Sequence, residues 1–172
     1  MKKTKLWQRL AAVAVAAALV FLDQLFKRAA VRHLRGGTPR ELLPRILQLR
    51  YTENTGVAFS FLGDSRTAMR VIAITTALII LIALGLMLAG RIRGMLPLVS
   101  VALIIAGGLG NLIDRVSPQH FVVDYLEFLF VRFAVFNFAD ICITCGVITM
   151  AAYILFIEPR MKKKTGLSDA GT

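Results

Sequence analysis

Four long stretches of the chain are apolar almost without interruption, and most of its polar residues lie between them. Residues 7–26, 71–90, 95–113 and 133–157 each reach the length of about 20 residues that a helix needs to cross a hydrocarbon layer. Each predicts a membrane-crossing helix. The first follows the basic residues Lys2, Lys3 and Lys5 and has the outline of a secretory signal peptide. It runs directly into Asp23-Gln24 and Lys27-Arg28, however, and its small residues lie inside the apolar run instead of after it. It is therefore read as a retained span, with Trp7 as an interfacial anchor. Pro159 is expected to close the fourth span, leaving residues 158–172 as a basic and then polar tail.

The connectors predict smaller elements. Gly36-Gly37-Thr38-Pro39 breaks the chain, and Leu47 to Thr52 alternates apolar and polar as a half-buried strand does. Asn54-Thr55-Gly56 supplies a turn, and Val57 to Phe61 reads as a return strand. The expectation is a small β-cradle over about residues 40–65, lying on the membrane surface. The connector 116–132 carries Pro118 and then Phe121, Tyr125, Phe128 and Phe130, which predicts an amphipathic helical segment along the interface. The fold class is thus an all-α membrane protein. One integral domain over residues 1–172 has four transmembrane helices, an extracytoplasmic β-cradle and an interfacial helical segment.

Composition supports this reading. The chain is 57% hydrophobic, with a mean hydropathy of +0.70, which excludes an ordinary soluble domain. A net charge of +11 would point to nucleic acid in a soluble protein. Here the basic flanks face anionic headgroups, so membrane lipids are the expected partners and nucleic acid is not. The 21 basic residues divide almost evenly between the two sides of the membrane. They are denser in the short flanks that hold the termini, which places both termini in the cytoplasm. Cys142 and Cys145 form a C-x-x-C within an apolar run and are read as small interior residues. His33 and His120 are isolated, so no ligand set for a metal or cofactor is expected.

Carboxyl and amide groups near hydrocarbon are costly unless paired or used. Antiparallel spans bring several of them to one side. Asp23 lies near the end of span one, Asn111 and Asp114 at the end of span three, and Asn137 and Asp140 near the start of span four. Asn54 and Asp124 lie in the two connectors on that same side. If the helices run through Asn111/Asp114 and Asn137/Asp140, each i, i+3 pair presents an amide and a carboxylate on one face. Gly107, Gly108 and Gly110 allow helices to approach closely. Asp23 and Lys27 have the spacing of an i, i+4 ion pair, and Arg115 stands beside Asp114, able to neutralise it. Asp124 and Asp140 have no basic residue within one helical turn. Two carboxyls in a shielded site share a proton and can activate water as base while protonating as acid. They can equally carry protons or cations in a small transporter. The residues alone leave both readings open, an intramembrane hydrolase or a proton- or cation-coupled transporter.

Five blocks carry a resemblance: DQLFK at 23–27, NTGVAF at 54–59, GGLGNLIDR at 107–115, VVDY at 122–125 and FNFAD at 136–140. In this order and spacing the chain resembles the signal peptidase II family, bacterial aspartic endopeptidases of the inner membrane. The resemblance implies that Asp124 and Asp140 are the catalytic pair. It implies supporting or substrate-binding roles for Asp23, Asn54, Gly108, Asn111, Asp114, Arg115 and Asn137, with Asn54 or Asn111 as candidates to hold the peptide backbone. It also implies lipid-modified prolipoprotein substrates, cut just before the diacylglyceryl-modified cysteine at a site that faces the extracytoplasmic side; a monomer is expected. Tyr125, where the family most often has Phe, and Ile141, where a small polar residue is usual, depart from the pattern without touching this chemistry.

Overall fold

The computed structural model describes residues 4–56 and 65–164. Among them, four helices are long and apolar enough to cross a membrane, Leu6–Leu34, Met69–Leu88, Met95–Val116 and Phe138–Met161. They belong to α1 (Leu6–Leu34), α2 (Ser65–Leu88), α3 (Met95–Val116) and α4 (Phe138–Ala152). Beyond α4 a π turn, Tyr153–Ile157, leads into a last helical stretch, Glu158–Lys164. Helix α3 is central and touches α1, α2 and α4. Its contact with α4 is close because Gly107 has no side chain: a methyl group there would overlap the Ala139 carbonyl and Ile143. Ala12, Ala16, Ile80, Met87, Leu98, Ala102, Ile105 and Ala106 fill the half of the bundle nearer the N-terminus. Large apolar residues such as Phe21, Leu81 and Leu155 point outward, as they do on a surface solvated by hydrocarbon.

Among the described residues, three antiparallel strands lie at the other end, β1 (Arg40–Leu43), β2 (Leu47–Asn54) and β3 (Val122–Phe128), in the order β1-β2-β3. β2 and β3 pair Leu47 with Phe128, Thr52 with Asp124 and Asn54 with Val122, with an irregularity between Leu49 and Thr52. Glu127 accepts from Gln48 at 2.6 Å and from Arg50 at 2.9 Å across the strands, which fixes this register. Val123 and Tyr125 pack on Ala30 and Leu34 at the end of α1, seating the sheet on the bundle. After β3 the chain returns: Leu126 and Phe136 exchange backbone hydrogen bonds of 2.8 and 2.9 Å, which brings Asn137 back beside β3.

Several boundaries differ from the expectations. α1 continues to Leu34 instead of ending at 26, because Lys27 is buried and paired inside the bundle. α2 ends at Leu88 and α3 runs on to Val116. The fourth span starts at Phe138 and not at 133, because Asn137 caps it. Pro159 does not stop the chain's helical course. The π turn before it, with the Glu158 N–H bonded to the Tyr153 carbonyl, rearranges the turn where proline disrupts regular helix. The 116–132 connector is corrected from a helical segment to one that contains strand β3. The strand expected at 47–52 is present within β2, whereas the return strand expected at 57–61 lies outside the described residues. The described partners of β2 are β1 and β3.

Candidate active site

The polar residues form two linked layers. The first is built on Lys27, whose ammonium group lies 2.8 Å from Asp23 Oδ2 and 3.0 Å from Asp114 Oδ2. It also donates to Asn111 Oδ1 at 2.9 Å and to the Gly110 carbonyl at 3.3 Å. Lys27 is 3% exposed and Asp23 1%. Charges taken this far out of water persist only when their remaining lone pairs are satisfied. Asp114 accepts from Gln24 Nε2 and from the Val123 N–H, each at 3.1 Å, and Asp23 Oδ1 accepts the Ala139 N–H at 2.9 Å. The cluster thus ties α1 to α3, α3 to β3 and α1 to α4. Gly110 makes room for it, since a Cβ there would stand 2.6 Å from Asp23 Oδ2.

The second layer is organised by Asn137. It is the N-cap of α4: its Oδ1 accepts the Asp140 N–H at 3.0 Å, and its own N–H donates back to Asp140 Oδ2 at 3.1 Å. This is a reciprocal capping box, with an aspartate in place of the usual glutamate or glutamine. The side-chain amide of Asn137 donates to Asp124 Oδ1 at 2.7 Å and to Asn111 Oδ1 at 3.0 Å. Asn54 Nδ2 donates to Asp124 Oδ2 at 2.9 Å, and Asn111 Nδ2 to Asp140 Oδ1 at 2.8 Å. All four oxygens of Asp124 and Asp140 therefore have amide donors, and both carboxyls are joined through the single residue Asn137.

Asp124 is 2% exposed. Burial pushes its pKa up to about 6, and the charge of Asp140 acts in the same direction, while the amides of Asn54 and Asn137 pull it down. Asp140, at the first turn of α4, is only half-buried. Arg115 feels the charges of Asp140, Asp124 and Asp114, yet it makes no ion pair among the described residues and its Nε is buried without an acceptor. A pair of carboxyls with unequal burial, restrained on every oxygen, can hold one proton between them and act as acid and base on one bound water.

The structure brings together Asp23, Asn54, Asn111, Asp114, Asp124, Asn137 and Asp140, as expected. Three details change. Lys27, not Arg115, neutralises Asp114. Gly108 faces Ile80 of α2, where a Cβ would approach Ile80 Cδ1 to 3.0 Å, so it serves helix contact and not the polar network. Asn137 and Asp140 meet through the helix cap and not through a shared helical face. Gln24 and Lys27 were not expected among the site residues. The signal for Lys27 was its i, i+4 spacing from Asp23 within the DQLFK block, which reads as a surface pair until α3 is seen to cover it.

The family described as "Signal peptidase (SPase) II" matches residues 15–156. A protein named lipoprotein signal peptidase from Streptococcus pneumoniae is 39% identical over 137 residues, 80% of this chain and 87% of the relative. One of the same name from Lactiplantibacillus plantarum is 39% identical over 139 residues, 80% of this chain and 89% of the relative. A bacterial membrane enzyme solved by the in meso method at 1.9 Å resolution superposes with a TM-score of 0.75 at 28% identity, covering 86% of this chain and 94% of the other. A second, at 2.3 Å resolution, gives a TM-score of 0.72 at 26% identity, covering 94% and 93%.

Proposed function

The chain belongs to the signal peptidase II family, and from that premise we propose that Asp124 and Asp140 are the catalytic dyad with which it removes signal peptides from lipoproteins. The observation that carries the assignment is the bridge through Asn137, which donates to Asp124 with its side chain and to Asp140 with its backbone. Membership of a peptidase family takes away the ground for the transporter alternative.

The two carboxyls divide the work by burial. Asp124, the more buried, holds the shared proton at rest, and Asp140 is the carboxylate base. Asp140 takes a proton from a water whose oxygen attacks the scissile carbonyl carbon, while the Asp124 proton passes to the carbonyl oxygen. The tetrahedral intermediate then returns that proton to Asp124 as the C–N bond breaks, and the leaving amine receives the proton held by Asp140. The Asn54 and Asn111 amides are committed to the carboxyls, so they orient the dyad instead of holding the peptide backbone. Arg115 contributes positive potential beside the dyad.

The substrate is a prolipoprotein carrying a diacylglyceryl-modified cysteine, cut on the N-terminal side of that cysteine. Its signal helix and acyl chains reach the bundle from within the bilayer, so the scissile bond arrives at the sheet end without leaving the membrane. That end faces the extracytoplasmic side of the inner membrane, both termini are cytoplasmic, and the protein acts as a monomer. The test is to incubate the purified protein with lipidated and unlipidated forms of one prolipoprotein, in the presence of a chelator, and to map the products by mass spectrometry. The expected product begins at the modified cysteine. Equal cleavage of the unlipidated form, or cleavage elsewhere, overturns the substrate assignment.

A further inference from the structure

At the end of the bundle away from the aspartates, Thr4, Arg9, Ala89, Gly90, Arg91 and Arg93 line a cavity of about 700 Å³. Three of these residues are arginines and none is acidic. Arg9 Nη1 donates to the Leu88 carbonyl at the end of α2 at 2.7 Å, and Thr4 Oγ1 donates to the Ile92 carbonyl at 3.1 Å. The start of α1 is thereby fixed to the turn between α2 and α3. Gly90, at φ +67°, leaves the space the guanidinium needs, since a Cβ there would stand 2.9 Å from Arg9 Nη1. Arg9 Nε is buried without an acceptor. Neither Arg91 nor Arg93 has an ion pair among the described residues.

Three guanidinium groups around one cavity, one of them fixed in place with a donor to spare, suit an anion with several acceptor oxygens. What surrounds the cavity decides the source of that anion. Trp7 and Leu10 on α1, Leu86 and Leu88 on α2, and Met95 and Leu96 on α3 are all exposed apolar side chains near the same helix ends. They leave exposed apolar surface for acyl chains at the helix ends that carry the arginines, which a free phosphate ion would not use.

We infer that this cavity is a headgroup site for an anionic phospholipid. The lipid phosphate meets Arg9, Arg91 and Arg93, and the acyl chains run along the outer faces of α1, α2 and α3. Bound there, the lipid clamps three helix ends that Thr4 and Arg9 join by direct side-chain hydrogen bonds. The site is independent of the peptidase reading, since it needs only that the helices cross a membrane.

The test is native mass spectrometry of the full-length protein in neutral detergent, titrated with phosphatidylglycerol or phosphatidylcholine. One phosphatidylglycerol is expected to stay bound in preference to phosphatidylcholine, with an affinity that falls as salt rises. In the Arg91→Gln/Arg93→Gln variant its affinity should drop roughly thirty-fold, while cleavage of a lipidated substrate at the distant dyad keeps its wild-type rate and reports correct folding. Equal retention of the two lipids, a salt-independent affinity, or an unchanged affinity in a variant that still cleaves overturns the inference. So does displacement of the lipid by millimolar inorganic phosphate, which identifies a free-anion site.

Discussion

The Asp23 carboxylate accepts the Ala139 N–H at 2.9 Å, joining the first and last spans across 116 residues of sequence. Ala139 is in the first turn of α4, where backbone N–H groups have no partner within the helix and favour a negative charge. Asp140 is the next residue, so the carboxylate on α1 sets where the proposed base on α4 stands. Asp23 acts on the dyad through Ala139, and its other oxygen is held by Lys27.

Lys27 is expected to matter more to stability than either acid it pairs with. Lys27→Met leaves Asp23 and Asp114 buried with no cation between them, at a cost of about 3–5 kcal/mol. Asp23→Asn leaves Lys27 paired with Asp114 and should cost less. Unfolding in detergent ranks the two variants, and a larger loss for Asp23→Asn would refute this account of the cluster.

Asp124→Asn and Asp140→Asn should each lower turnover of a lipidated substrate by at least about 10²-fold, as loss of a general acid or base does. Circular dichroism should show an unchanged helical content. Either variant cleaving at close to the wild-type rate removes that residue from the chemistry.

The pH profile should identify the acid. Asp124 must be protonated in the resting dyad, so turnover should decline as pH rises past its pKa of about 6. The Asn54 hydrogen bond favours the ionised form of Asp124 and pulls that pKa down. Asn54→Ala should therefore move the alkaline limb to higher pH even as the maximal rate falls. A limb that stays in place means that Asn54 does not act through Asp124.

Asp124 should also leave a mark on stability. Its pKa is raised on folding from 3.8 to about 6, so the folded state binds the proton more tightly than the unfolded chain. Its contribution to stability is greatest below about pH 4, declines as pH rises to about 6 and is level above that, a change of at most about 3 kcal/mol. Asp124→Asn removes this dependence. If wild type and variant show the same slope between pH 4 and 6 in denaturant titrations, Asp124 does not carry the proton.

The sequence made the four spans visible because hydrocarbon leaves little choice beyond a long apolar run. It located their ends less well wherever polar residues were satisfied out of sight. Lys27 looked like an interfacial charge because its partner Asp114 is 87 residues away and on another helix. Asp114 pairs on paper with its neighbour Arg115 for the same reason: adjacency can be read directly, and a contact across the bundle cannot. The segment Val122–Phe128 reads as a helix in sequence because its cross-strand partners, Leu47–Asn54, lie about seventy residues earlier. The convergence of Asp124 and Asp140 was legible because it needed only the alternation of span direction. The part played by Asn137 was not, since a helix cap depends on where the helix begins.

The aspartates of the proposed dyad lie on either side of the turn into α4. Asp124 belongs to the final connector, whereas Asp140 and the start of its helix belong to the final span. A nascent molecule with only three spans inserted has one carboxyl and neither its partner nor the asparagine that joins them. On the proposed assignment, proteolytic competence waits for α4 to enter the membrane.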